Sequence, residues 1–404
     1  MTDGNAQAKN LKLISQSTLG GFGNGGEGLA LQAAAGGRLI LYVAHESGPK
    51  DFTAVDVTDP ASPRVIVQTE VPHEKVRSNS LDLVGDLLLV AYQTSEPGLE
   101  PAGMGVYDVS DPERPRKVSH FDTSGPHSRG AHCLWFADGR YAYLATGAAD
   151  FQPHDQKDDQ FFMIVDVGDP SSPVEVGRWW LPGTRVGDTE DPPTRHPRFD
   201  VGFRLHNGNV WPERSDRAYL GYIDGGAIIL DVSDPANPSM ISRVDYHPPF
   251  PGFTHTVLPL FGRDLLIVSD ESVQDRGLDH PKLVWVMDAR EETNPVIIST
   301  FPMPPVEEFK QRGGRFGAHN LHENKPGPTS WHSETRIVGA YFNAGVRVHD
   351  ITDPFRPEEV AYYIPPAPEG VDGINVNDVY VDENGLIYAI DRFAGGLYIL
   401  ELSV

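Results

Sequence analysis

The feature that most constrains this chain is a repeated corner. A β-branched run ending in Asp-x-x-Asp-Pro occurs as AVDVTDPASPRVIVQ from residue 54, VYDVSDPERPRKVSH from 106, IVDVGDPSSPVEVGR from 164, ILDVSDPANPSMISR from 229 and VHDITDPFRPEEVAY from 348. A degenerate copy, VMDAREETNPVIIST, starts at 286. The leading aspartates, Asp56, Asp108, Asp166, Asp231, Asp288 and Asp350, lie 52 to 65 residues apart. The aspartate side chain accepts from backbone amides of the turn, proline presets φ, and alternation resumes at once, so each copy is the corner between two antiparallel strands. A period of this size, rich in strands, demands an array in which each unit packs on its neighbours.

Two more strand-like runs precede each corner. In the second unit SLDLVG and DLLLVAYQ lead into MGVYDV and RKVSHF, four strands per unit, as in a propeller blade. The last unit offers only NDVYVDE, LIYAID and GLYILEL, and NLKLISQST at residues 10–18 supplies a fourth strand from the other end of the chain. The expectation is an all-β, seven-bladed β-propeller, one domain over 1–404, closed by the N-terminal strand, which removes the exposed edges of a linear array. Blades are placed at about 27–72, 79–125, 131–183, 205–247, 254–304, 318–365 and 375–404 plus 10–18. The corners, with AIILDVSDP and VRVHDITDP, resemble LVIVD-repeat proteins over nearly the whole chain. That resemblance implies a β-propeller and leaves activity open, since propellers host unrelated chemistries.

Composition fits this architecture: 39% hydrophobic residues suffice for a core, and 41 glycines with 35 prolines suit short strands and tight turns. With 57 acidic against 33 basic residues the net charge is −24, which argues against nucleic acid or an anionic membrane as partner. The single cysteine, Cys133, excludes an internal disulfide. The N-terminal residues have no apolar signal-type core and no run approaches a membrane span, so the expected location is cytoplasmic.

Histidines open four successive innermost strands: His132 in GAHCLWF, His206 in RLHNGNVW, His255 in FTHTVLPL and His319 in GAHNLHE. Glu27, Asn79 and Asn377 take the equivalent place in blades one, two and seven. In a propeller these positions ring the central axis on one face, and the long connections (181–203, 245–253, 302–316, 146–160 and 269–281) share that face. The ends of the second strands bring His45, Glu46, Asp224, Asp270, Glu271, Asp391 and Arg392 to the same rim. Neutral imidazoles in such a ring are metal ligands by chemistry, and nearby carboxylates can orient them or act as bases. His322 and His332 fall lower on the strand or its turn, while His73, His127, His154, His196, His247 and His280 read as surface residues of the rim loops. Cys133, next to His132, is expected to point away from the axis as a small buried hydrophobe. GGFGNGGEG (20–28) runs into a strand and not a helix, which disfavours a phosphate cradle.

The metal set is therefore His132, His206, His255 and His319, with Asp224, Asp270, Glu271 and Glu46 as partners or bases and Arg392 as a binder of substrate carboxylate or phenolate. The constellation is similar to that of carotenoid- and stilbene-cleaving oxygenases, which hold Fe(II) by four histidines on a propeller axis, and of selenium-binding-type thiol oxidases. It implies a metalloenzyme acting on a small, partly apolar molecule, aromatic ones included. Fe(II) and oxidative cleavage come first, with Zn, Mn or Cu and a redox-neutral hydratase, lyase or hydrolase reaction as the alternative. A non-catalytic binding scaffold is the reading from another class.

Overall fold

The structure, a computed structural model, describes residues 6–403. Nearly every element is an antiparallel strand, in four-stranded sheets whose chain order runs from inside to outside. One such unit comprises Gly25–Ala34, Arg38–His45, Lys50–Asp56 and Arg64–Glu70, and the next Val76–Val84, Leu87–Thr94, Gly103–Asp108 and Arg116–Asp122. A single bridge, His45 to Ser78, joins these two into an eight-stranded sheet. Further sheets start from the inner strands Ala131–Phe136, Asn207–Asn209 and Thr254–Leu260. In the last sheet, Val376–Val381, Leu386–Asp391 and Leu397–Leu402 are completed by Leu11–Ser17, which pairs from Leu11 with Leu402 to Ser17 with Leu397.

The middle strands are buried on both faces, which is why they read as continuous apolar runs. In Arg38–His45 every residue from Ile40 to His45 has 0% exposure. Each such Leu, Ile or Val contributes about 1.5–3 kcal/mol on burial. The inner strands pack on one another in succession, and Val376–Val381 packs on Gly25–Ala34. Among the described residues, no helix is long and apolar enough to cross a membrane.

The corners form as their chemistry requires. Asp56 Oδ1 accepts from the Thr58 amide and hydroxyl, Asp59 Oδ1 from the Ala61 amide, and the pattern recurs at Asp231 and Asp234. In the degenerate copy Glu291 takes the second role, accepting from the Thr293 amide and hydroxyl.

One unit departs from the expected pattern. Around His319 there is no inner ladder, and isolated bridges from Phe316 to Phe342 and from Leu321 to Gly339 stand beside the sheet Arg336–Ala340, Val346–Asp350 and Glu358–Ile364. Side chains here bond across to the next unit: Asn320 Nδ2 donates to the Asn377 carbonyl, and the Val381 amide donates to His322 Nδ1. The outer edge of this sheet gains Gln7–Lys9, a strand the sequence pattern does not mark.

Candidate metal centre

The four strand-opening histidines converge. His132, His206, His255 and His319 are at most 7% exposed, and their Nε2 atoms all face the Glu27 carboxylate at 3.8, 3.5, 3.6 and 3.8 Å. A shared local device aims two of these side chains, His132 and His255, and the equivalent residues of three other strands. Register shifts fall between Gly25 and Leu29, Arg77 and Ser80, Ala131 and Cys133, Thr254 and Thr256, and Val376 and Asp378. Each bulge brackets the axial residue of its strand, Glu27, Asn79, His132, His255 or Asn377, and a bulge at a rim re-aims a side chain.

The outer ring nitrogens are held by the scaffold. His319 Nδ1 donates to the Asn377 carbonyl at 2.7 Å and His206 Nδ1 to Asn207 Oδ1 at 2.7 Å, while His132 Nδ1 lies between Gln93 Oε1 at 3.0 Å and Arg77 Nη2 at 3.3 Å. His255 Nδ1 is hydrogen-bonded to the Thr256 hydroxyl at 2.7 Å. With Nδ1 protonated, Nε2 presents a lone pair to the axis. The Nε2 atoms of His255 and His319 are buried without a hydrogen-bond partner, and those of His132 and His206 stand 2.8 Å apart. Burial pushes the imidazoles of His132, His206 and His319 well below their usual range, so they are neutral near pH 7. Burial pushes the Glu27 carboxyl up, but the surrounding imidazoles, His255 first, outweigh it and hold Glu27 well below the usual range.

The other sequence-derived candidates divide. Glu271 joins the cluster, 3.7 Å from His206 Nε2 and 3.6 Å from His319 Nε2, and pairs with Arg315 at 2.7 Å. Glu46 pairs with Arg77 and Arg392, and Arg392 also donates to Asn377 Oδ1 at 3.2 Å and lies 3.8 Å from Glu27. Asp224 and Asp270 turn elsewhere. Asp224 Oδ2 accepts from the amides of Val201 and Gly202, pinning the long loop ahead of His206. Asp270 accepts from the Tyr246 hydroxyl, the Leu283 amide and Trp285 Nε1, and burial raises its carboxyl to about 6. His45 bonds Thr53 and Asn24, and Asp391 gathers the Asn375, Phe393, Ala394 and Gly395 amides. His322 bonds the Trp331 carbonyl, and His332 the Lys325 carbonyl.

Two expectations need correction. Cys133 does not point away from the axis: the bulge at its own strand turns Sγ to within 3.8 Å of both Glu27 Oε2 and His206 Nδ1. Burial raises this thiol well above its usual value, and its Sγ stands within 4.8 Å of the donor atoms of Glu27, His132 and His206. His247 is no surface residue either; it is 8% exposed, with Nδ1 bonded to the Phe250 carbonyl.

The residues missed from the sequence are Glu27 as a member of the cluster itself, and the arginines Arg77, Arg204 and Arg315. Arg77 precedes Asn79, and Arg204 precedes His206, by two residues, the spacing that puts two side chains on one side of an extended segment. Bulky residues in left-handed backbone also mark the rim. Phe253 (φ 68°) has its ring centroid 5.7 Å from that of His206, and Phe342 (φ 45°) stacks at 4.4 Å on His319. Such strain persists only where surrounding structure imposes it. Below the cluster a cavity of about 60 Å³ runs from Glu27 and Cys133 past Asn209 to Glu323, Lys325 and Asp378. Burial raises Glu323 to about 7 and lowers Lys325, which pairs with Asp82, to about 7.

Radial four-stranded sheets around an axis define a β-propeller, and comparison with solved structures agrees. The β-propeller domain of Myceliophteria thermophila Cps50 (Swd1) superposes with a TM-score of 0.56 at 14% identity, over 93% of this chain and 96% of that one. A chain of the mitotic checkpoint complex gives 0.55 at 12% identity, over 98% and 93%, and Saccharomyces cerevisiae Sqt1 gives 0.53 at 8%, over 94% and 85%. At these identities the likeness is one of fold alone. Residues 156–180 and 216–246 match the LVIVD repeat. No curated protein matches the chain.

Proposed function

We propose that the axial cluster is a mononuclear metal site and that the protein is a metal-dependent enzyme acting on a small, partly apolar organic molecule. The scaffold is read as seven blades, with Leu11–Ser17 closing the ring by completing the last, a reading supported by its pairing with Leu397–Leu402. His132, His206, His255 and His319 would hold the ion, with Glu27 able to add a carboxylate oxygen.

One observation carries the metal reading. Nε2 of His132 and Nε2 of His206 stand 2.8 Å apart, a contact between two ring nitrogens that is favourable only with a proton or a cation between them. Adjacent ligands at about 2.1 Å from one ion stand about 3 Å apart, and no two stand more than about 4.2 Å apart. The separations of 3.5 to 3.8 Å from Glu27 are too long for hydrogen bonds and lie inside that span.

A divalent transition metal bound here supplies Lewis acidity and, if it is iron, redox chemistry with dioxygen. Oxidative cleavage with Fe(II) is the first reading. Glu27 beside all four imidazoles favours a second, redox-neutral reading with Zn²⁺ or Mn²⁺, in which the Glu27 carboxylate takes a proton from substrate or water. Glu271, fixed by Arg315, bonds polar groups of a ligand at the cluster, and Glu46 holds Arg77 and Arg392 at its edge.

The test is elemental analysis of tag-free protein beside a His206→Ala/His255→Ala variant. Near-stoichiometric iron, zinc, manganese or copper in the wild type, lost in the variant, is expected. Wild-type protein that takes up no metal even after reconstitution would overturn the reading. Oxygen consumption with a substrate panel then separates the two reaction classes.

A further inference from the structure

In a chain of net charge −24, five arginines gather around the histidine rim: Arg77, Arg129, Arg204, Arg315 and Arg392. Four have carboxylate partners. Arg77 and Arg392 share Glu46, Arg315 pairs with Glu271, and Arg129 forms a two-pronged pair with Asp159 at 2.6 and 3.0 Å.

Arg204 differs. Among the described residues no carboxylate oxygen forms an ion pair with it, and its one protein acceptor is a neutral amide, Gln160 Oε1, at 2.8 Å from Nη1. Its Nε is buried without a partner, and so is Nε2 of Gln160, a residue with 0% exposure. That bond also fixes the amide orientation, because a guanidinium can donate only to the amide oxygen. A main-chain bond from the Leu205 amide to the Gln160 carbonyl, at 3.0 Å, locks the two residues together. The result is one rigid pair with two orphan donors, beside a guanidinium whose charge acts on His132 and His206. Buried donors without acceptors are rare in folded proteins, so each points to a missing acceptor.

We propose that Arg204 and Gln160 form the binding site for a carboxylate group of the substrate, placed beside the histidine cluster. Gln160 engages Nη1, so the opposite edge of the guanidinium, the Nε–Nη2 fork, is the one left without an acceptor, and such a fork suits a planar two-oxygen acceptor better than a tetrahedral phosphate. The other rim arginines are in contact ion pairs, whereas Asp159, Glu271 and Asp224 act on Arg204 only from a distance, so the anion is recognised here and not by a diffuse positive surface. Phe253, against His206, supplies an apolar wall. This deepens the metal-enzyme reading by naming the substrate class, and rests on it only for what the carboxylate lies next to.

The test titrates benzoate, benzamide and inorganic phosphate into full-length protein by calorimetry, once metal-loaded and once after dialysis against EDTA. Benzoate is expected to bind both forms, with benzamide weaker by about tenfold or more, as for loss of a charged hydrogen bond. Arg204→Met should weaken benzoate by a similar factor. Arg204→Lys, which keeps the charge and loses the fork, guards against a folding failure of the first variant and should also bind more weakly. Equal binding of benzamide, unchanged affinity in either folded variant, or tighter binding of phosphate would each overturn the proposal. Benzoate binding lost only on metal removal would also overturn it, assigning the anion to the metal. A metal-free wild type would sink the metal reading and leave the benzoate–benzamide comparison intact.

Discussion

Replacing Glu27 by glutamine keeps the shape of the cluster and removes its central charge, so it separates packing from ligation. The expected result is an intact fold with metal affinity reduced by about 10- to 100-fold, read by competition with a chromophoric chelator. Asn207→Ala should act through His206, whose Nδ1 proton it holds at 2.7 Å, with a loss in the same range. Buried carboxyls set the pH dependence of stability, Asp51 together with Asp270 and Glu323. Asp51 is buried, accepts from the hydroxyls of Tyr92 and Tyr107, and burial raises it from its usual value to about 6. The native state therefore binds the proton more tightly than the unfolded chain does. Stability falls as pH rises from about 4 to about 6, by up to about 3 kcal/mol, and stays lower above it. Urea denaturation across that window should show the fall in the wild type and a flatter profile in Asp51→Asn.

Among the elements, the inner strands owe their aim to close backbone approach as much as to their bulges. Gly221 ends a strand of the fourth unit, and a Cβ there would stand 1.9 Å from the His255 carbonyl oxygen. Gly221→Ala must displace the strand that carries His255, and about 1–3 kcal/mol of stability should be lost together with metal. Denaturation midpoints and metal content measured on one preparation check both, and retention of full metal occupancy would contradict this coupling. The aspartate corners and the apolar alternation were legible at this scale, since both depend on contacts a few residues apart. The bulges were not, because a bulge is a mismatch between two strands and shows only once they are paired. Cys133 faces the axis for that reason. The missing ladder at His319 has a similar origin: Asn320 and His322 bond to the neighbouring unit, and no period in the sequence reports such contacts.

For the molecule as a whole, strand pairing brings the two ends of the chain together, Leu11–Ser17 lying against Leu397–Leu402. Deleting residues 1–18 removes Leu11–Ser17 from the edge of Leu397–Leu402 and Gln7–Lys9 from the edge of Glu358–Ile364. Two exposed edges then remain, so the truncated chain is expected to aggregate and to lose its cooperative unfolding transition, as seen by gel filtration and denaturation. Metal should stabilise the intact ring by mass action, by about 2.7 kcal/mol at a hundredfold excess over Kd, and chelation should reverse it. The sequence by itself determined the repeat, the strand order within each unit, the use of the N-terminal segment as a strand and the equivalence of His132, His206, His255 and His319. All of these are periodic or local, and a chain carries its own periodicity. Only the tertiary structure decided that Glu27 sits among the imidazoles, that Asp224 and Asp270 serve loops and core instead, and that Arg204 has no contact ion pair among the described residues. Those facts are distances between residues brought together by the ring, and the axis around which they meet exists only in the folded protein.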